Sequence, residues 1–250
     1  MESQPQQSTA HYDFTGRVAL VPGGLGGVGR AVTLAFLSAG AQVAVVERQS
    51  QSAESDSFRE QLGDLAARFS MYSADVTDES AVESLVKGIV AEHQKIDILV
   101  NLVGGWMAGE PVTSLSLGTW ERMLDLNLRA AFLLSKHVAR TMFQTSWGRI
   151  IHVSSRGAVS GRRNAAAYSI AKNAVLTLVE IQAEELRDTR ITVNAILPSI
   201  IDTPANRAGM PNSDFSRWPK PEEVARVLLF LASDDAGLIS GAAIPVYGRA

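Results

Sequence analysis

The chain has 250 residues, 46% of them hydrophobic, with 23 basic and 26 acidic side chains and a net charge of −3. That length can bury a large core, and an acidic balance without a long basic block argues against a nucleic-acid partner. The absence of cysteine excludes disulfides, thiolate metal sites and cysteine nucleophiles, and fits a reducing cytoplasm.

Residues 1–12 open with the polar stretch MESQPQQSTA, which has neither a basic start nor an apolar run. It reads as a flexible tail rather than a signal peptide. No apolar run approaches the length of a bilayer, so no membrane partner is expected. No linker or shift in composition divides residues 13–250, which are read as one domain. The histidines His11, His93, His137 and His152 lack metal-ligand spacing, and no metal is expected.

The apolar run Arg17–Val21 predicts a first strand. It leads into Pro22-Gly23-Gly24-Leu25-Gly26-Gly27-Val28-Gly29, then a periodic helix over Arg30–Ser38 with Gly40 as its stop. Strand, glycine turn and helix form the context of a dinucleotide fingerprint. Glycines let the backbone approach a pyrophosphate, and the free N–H groups of the helix start attract its charge. Gln42–Glu47 predicts a second strand ending in an acid. A carboxylate there accepts hydrogen bonds from both ribose hydroxyls and repels a 2′-phosphate, which favours NAD. Arg48 follows at once, either as a solvated surface arginine or as a holder of a 2′-phosphate, which keeps NADP possible.

Ser52–Arg68 predicts a polar amphipathic helix, and Ser70–Ser73 a third strand running into Ala74-Asp75-Val76. Asp75 either reaches an adenine edge or begins a turn. A helix over Glu79–Glu92 and a strand over Ile96–Val100 come next, then Asn101-Leu102-Val103-Gly104-Gly105. Ligands of an open parallel sheet lie beyond the carboxyl ends of its strands, which puts Asn101 and Gly104 on the binding edge.

A long helix is predicted from about Ser116 to Phe143, with Asn127 on its apolar stripe. A buried amide must find partners. It either bonds its own helix backbone or opens the helical ladder and holds a water. Gly148–Ser155 predicts a fifth strand with serines at its carboxyl end, and a helix follows over about Ala165–Leu186. That helix carries Tyr168-Ser169-Ile170-Ala171-Lys172. Positions four apart share a helical face, so the phenol and the ammonium point the same way. A cation beside a phenol lowers a pKa of about 10 and makes Tyr168 a proton donor and acceptor near neutrality. Ser155, 13 residues upstream, could hold a substrate oxygen beside it, or simply cap or turn the chain. A strand over Arg190–Leu197, a stretch of little periodicity over Ala205–Pro219 suited to a mobile lid, a helix over Pro221–Leu231 and a strand over Ala242–Val246 complete the chain. Strands alternating with helices predict an α/β fold, a doubly wound parallel sheet of about seven strands with helices on both faces.

These landmarks resemble the short-chain dehydrogenases/reductases of the shorter, roughly 250-residue type, from Gly16 to Gly248. The match rests on the glycine turn 23–29, Asp75-Val76, Asn101-x-x-Gly104, Asn127, Ser155, Tyr168-x-x-x-Lys172, Asn194 and Pro198 to Thr203. The resemblance implies a Rossmann-type fold and an NAD(P)(H)-dependent interconversion of a secondary alcohol and a ketone. It puts Gly23, Gly27 and Gly29, with Val28 in the same turn, at the pyrophosphate, and Glu47 at the adenosine ribose. Asp75 and Val76 fall at the adenine, Asn101 along the cofactor, and Ile201 and Thr203 near the nicotinamide. Tyr168 becomes the acid/base, Lys172 the ribose ligand that lowers its pKa, Ser155 the holder of the substrate oxygen, and Asn127 the holder of a water linking Lys172 to solvent. It also implies a homotetramer or homodimer in which long helices pair between subunits.

The chain departs from the family pattern at Pro22 (usually threonine), Leu102-Val103 (usually Asn-Ala), Gly26, Ala171 and Ser199. None removes a catalytic group. Two alternatives stand beside the leading reading: an NADPH-dependent reductase of the 3-oxoacyl-carrier-protein type, and, motivated by Pro22 and Leu102-Val103, a non-catalytic dinucleotide-binding scaffold or sensor. Trp106, Met107, Phe215 and Trp218 are either pocket or packing residues. Arg156, Arg162 and Arg163 either attract an acidic substrate or face solvent or another subunit.

Overall fold

Five consecutive buried residues, Val18–Pro22, form β1 at the middle of a sheet. A computed structural model describes residues 11–48 and 53–249. The expected N-terminal tail, apart from His11 and Tyr12, and the expected helix start at Ser52 lie outside the described residues. The remaining strands are β2 Gln42–Glu47, β3 Phe69–Ser73, β4 Ile98–Asn101, β5 Trp147–Val153, β6 Arg190–Pro198 and β7 Ala243–Val246. They pair in parallel in the order β3-β2-β1-β4-β5-β6-β7. The chain winds outward from β1 to β3, returns, and continues from β4 on the other side. The crevice between the ends of β1 and β4 is therefore the topological switch point where ligands of such sheets bind.

The strands alternate their side chains between two cores, as a pleated backbone requires. Leu20, Leu99, Ile150 and Val193 face α3 (Glu79–His93), α5 (Ala130–Thr145) and α6 (Ala166–Glu185). Val21, Ile98, Ile151 and Ile196 face α1 (Gly29–Ser38), α2 (Ala53–Leu62) and α8 (Pro221–Ala232). Phe36, Leu134 and Met142 are fully enclosed, and each such side chain stabilises the fold by about 1.5–3 kcal/mol.

Three elements differ from expectation. The helix expected to reach Arg68 stops at Leu62, because Gly63 takes a positive φ of 52° and the chain continues in 3-10 turns. The long helix is α4 (Leu117–Leu124), a π turn over Asp125–Arg129, then α5. The aperiodic stretch contains a helix, α7 (Pro204–Gly209), which Thr203 caps by accepting the Asn206 N–H at 3.3 Å. Pro204 at its first turn is preset for the helical φ.

Candidate active site

The glycine turn is shaped by contacts that only glycine permits. Gly23 takes φ +80° and donates its N–H to the Val46 carbonyl at 2.9 Å, which lifts the chain off β1. A Cβ on Gly29 would stand 2.1 Å from the Gly23 carbonyl oxygen, so the helix can approach the turn only without one. A Cβ on Gly27 would lie 3.1 Å from Thr203 Cγ2, so Thr203 stands against the same turn. The amides of Gly27 and Val28 find no acceptor among the described residues. At the start of α1 they form a cradle suited to an anion.

Glu47, at the end of β2, accepts the Leu25 N–H at 2.9 Å. Burial raises its pKa, the Leu25 hydrogen bond opposes the rise, and the Glu54 charge adds to it. Arg48 does not stand alone in solvent: its guanidinium lies 3.4 Å from Asp75. Asp75 also accepts the Thr77 N–H at 2.9 Å and hydroxyl at 2.6 Å, so its carboxylate does begin a turn. Val76 beside it is buried.

Asn101 turns the chain beyond β4, with its Oδ1 accepting the Val103 N–H at 3.1 Å. Its Nδ2 lies 3.3 Å from Nδ1 of His152, its register partner on β5. Burial, then the Lys172 charge, pushes the His152 pKa down to about 4, so the ring is neutral. With Asn101 donating to Nδ1, the ring proton is assigned to Nε2, which has no partner among the described residues.

Asn127 sits within the π turn and is almost wholly enclosed. Its Nδ2 donates to the carbonyls of Met123 at 3.0 Å and Gly105 at 3.1 Å, and its Oδ1 accepts the Gly105 N–H at 3.1 Å. Both expectations for this amide are met in part: it bonds its own helix, and the ladder there is widened. A Cβ on Gly104 would meet Asn127 Oδ1 and Lys172 Nζ, each at 2.8 Å, so the two groups converge over that backbone. Lys172 is 5% exposed, and its ammonium donates to the Val153 carbonyl at 2.8 Å. Ser154 Oγ fixes the same helix by donating to the Lys172 carbonyl at 2.7 Å. Burial lowers the Lys172 pKa to about 8.

Tyr168 lies one helical turn earlier. Ser155 Oγ accepts the Gly157 N–H at 3.1 Å, which turns it inward from the end of β5. A Cβ on Gly157 would stand 3.4 Å from Ser155 Oγ, 3.6 Å from Tyr168 Cε1 and 3.8 Å from Arg162 Cδ, so these three side chains surround one point. The Trp106 and Tyr168 rings meet edge to face with their centres 4.5 Å apart, and the Arg162 guanidinium lies over Trp106, 5.4 Å from its ring centre. A cavity of about 690 Å³ opens here, bounded by Trp106, Ser155, Tyr168, Pro198, Asn206 and Met210 among others. Trp106 is thus a pocket residue. Trp218 is buried, with the Phe215 ring 4.9 Å away, and it packs rather than lines.

One expectation is corrected. In this chain Lys172 does not depress the Tyr168 phenol. Burial raises the phenol's pKa, and the nearby Ser155 hydroxyl and then the Arg162 charge oppose the rise. The physical reason is that Lys172 is itself desolvated and engaged with the Val153 carbonyl. Sequence leaves Trp106 and Arg162 each open between a site role and packing or solvent, and it does not pick out His152 as a site residue. The one signal was His152 itself, a titratable ring in the middle of the apolar run Ile150–Val153.

The fold and this site define a Rossmann-type, dinucleotide-dependent oxidoreductase. A family model described as enoyl-(acyl carrier protein) reductase matches residues 23–248. The chain is 31% identical to D-threitol dehydrogenase of Mycolicibacterium smegmatis, covering 98% of both chains. It is 30% identical to 3-oxoacyl-[acyl-carrier-protein] reductase FabG of Thermotoga maritima, over 93% of this chain and 97% of that one. The solved structure of NAD+-bound xylitol dehydrogenase superposes with a TM-score of 0.86 at 28% identity, covering 94% of this chain and 99% of the other. The chain belongs to the short-chain dehydrogenase/reductase family, as an NAD(P)-class oxidoreductase acting on CH–OH groups.

Proposed function

We propose that the chain interconverts a secondary alcohol and a ketone with NAD as its preferred cofactor and Tyr168 as the acid/base. The observation that carries this reading is the convergence of Ser155 and Tyr168 on one cavity, with Lys172 one helical turn below and the glycine turn adjoining through Thr203.

The residues present fit a dinucleotide: a cradle that a Cβ would fill, two unused amides at a helix start, and a carboxylate at the end of β2. Gly23, Gly27, Val28 and Gly29 would hold the pyrophosphate, Glu47 the adenosine ribose, and Asp75 and Val76 the adenine. Asn101 and Gly104 would lie along the cofactor, Ile201 and Thr203 at its nicotinamide end, and Lys172 at the nicotinamide ribose. The Glu47 charge disfavours a 2′-phosphate, and Arg48 is drawn towards Asp75. When bound, the oxidised nicotinamide supplies a hydride acceptor and a positive charge beside the phenol.

In the oxidative direction the ionised Tyr168 would take the hydroxyl proton of the alcohol, and a bound oxidised nicotinamide would supply the acceptor for the hydride of the carbinol carbon. In reduction the phenol returns that proton to the carbonyl oxygen. Ser155 holds the same oxygen, and its hydroxyl favours the ionised phenol. Asn127 braces Gly105 and holds a water leading from Lys172 to solvent.

Residues 13–250 act as one dinucleotide-binding and catalytic unit in the cytoplasm, without nucleic-acid or membrane partners. No helix among the described residues is long and apolar enough to cross a membrane. A homodimer or homotetramer would cover the groove of Leu124, Leu128, Phe132 and Leu178 on α4, the π turn, α5 and α6. The likeness to a 3-oxoacyl-carrier-protein reductase favours a second reading, an NADPH-dependent reductase of that type. The complete Asn127, Ser155, Tyr168 and Lys172 set opposes a non-catalytic scaffold. The test is to screen secondary alcohols and ketones with both cofactors while following nicotinamide absorbance. Alcohol-dependent reduction of NAD supports the proposal, and no turnover with either cofactor refutes it.

A further inference from the structure

A chain with more acids than bases places two arginines and no carboxylate around its catalytic cavity. Arg156 and Arg162 line it, and no aspartate or glutamate does among the described residues. The other polar side chains there carry no fixed charge: Ser155, Ser160, Tyr168, Ser199 and Asn206. Arg156 is committed elsewhere, with its guanidinium 5.1 Å from the Tyr247 ring centre.

Arg162 differs. It forms no ion pair among the described residues, whereas Arg207 is held by Asp202 at 2.8 Å. It stands over the Trp106 ring, which in turn meets the Tyr168 ring edge to face, and its Cδ borders the point shared with Ser155 Oγ and the Tyr168 ring. A guanidinium stacked on an aromatic face loses little freedom when it binds, and it keeps its planar fork free for an oxyanion. A cation left without a counter-charge at a cavity mouth attracts one from its ligand.

We infer that Arg162 is a specificity-determining residue that selects alcohols and ketones carrying an anionic oxygen group, a carboxylate or a phosphate, close to the reacting carbon. This inference rests on the oxidoreductase reading of the same cavity and names its substrate class. A neutral polyol leaves the Arg162 fork without its partner, whereas a hydroxy acid places its charge on that fork and its hydroxyl between Ser155 and Tyr168. Trp106 serves as the platform that holds the guanidinium in place.

The test uses three probes that differ in charge: 3-hydroxybutanoate, 3-hydroxybutyl phosphate and 3-hydroxybutanamide. Their binding to the full chain, with and without NAD, is followed by calorimetry or saturation-transfer NMR, and their turnover by nicotinamide absorbance. At least one anion is expected to bind on the order of tenfold tighter than the amide, as one charge-assisted hydrogen bond allows. The order of carboxylate and phosphate shows which oxyanion fits. Arg162→Gln should abolish the preference, and Arg162→Lys should restore part of it, with thermal denaturation showing both variants folded. Equal or tighter amide binding, a preference that survives in Arg162→Gln, or no binding of any probe overturns the inference. A charge preference without turnover would leave the Arg162 inference standing and remove the dehydrogenase reading. Turnover without a charge preference would do the reverse.

Discussion

The Glu47 carboxylate reaches back to the glycine turn and accepts the Leu25 N–H at 2.9 Å. The residue that should discriminate between cofactors therefore also braces the turn that should hold them. Glu47→Gln removes the charge but keeps an oxygen able to accept from Leu25. The ratio of NADPH to NADH affinity should rise on the order of tenfold, about 1.4 kcal/mol, as read by fluorescence titration of both reduced cofactors. Glu47→Ala loses the brace too, so both affinities should fall. Tighter NADPH binding by the unaltered chain would overturn the assignment of Glu47.

Asn127 ties the π turn to the loop after β4 through two hydrogen bonds with the Gly105 backbone, and to α4 through a third with the Met123 carbonyl. Asn127→Leu fits the enclosed site only by leaving the Gly105 N–H and two carbonyls without that partner. The expected loss of stability is about 2–3 kcal/mol, measured by urea denaturation, with weaker cofactor binding as Gly104 shifts. Unchanged stability would mean that the loop is held by other contacts.

Two buried bases set the pH dependence of folding. His152 falls from 6.5 to about 4, so the unfolded chain binds more protons between those values. Its contribution is complete above pH 6.5 and is lost as the pH falls towards 4. Lys172 falls from 10.5 to about 8. Its cost to the fold is absent above pH 10.5 and grows as the pH falls to about 8. Each corresponds to roughly 3 kcal/mol. Urea denaturation across pH should show a slope in each window. His152→Asn should flatten the acid slope and Lys172→Met the alkaline one, and slopes unchanged in the variants would contradict the burial of these groups.

What the sequence revealed was local. The glycine turn, Glu47 as the acid that ends the second strand, and Tyr168 one helical turn before Lys172 are each read from residues close together in the chain. What it hid depends on elements distant in the chain. His152 meets Asn101 only because β5 pairs with β4 in that register. Arg162 stands over Trp106, whose ring packs on Tyr168, only because the fold brings the loop after β4 against the start of α6. The phenol's pKa shifts upward because burial, which spacing cannot report, outweighs the Ser155 hydroxyl and the Arg162 charge, while Lys172 is engaged with the Val153 carbonyl. The end of α2 at Leu62 turned on the positive φ of one glycine, Gly63.

The most direct test of the account is the turnover of Tyr168→Phe with any alcohol the unaltered chain oxidises. Removing one hydroxyl from a ring held by Trp106 leaves the cavity and the glycine turn in place. The expected result is a fall in kcat of about 10²–10⁴-fold, the scale of a lost general acid/base, with cofactor affinity unchanged. Turnover within a few-fold of the unaltered chain would contradict the assignment of proton transfer to Tyr168.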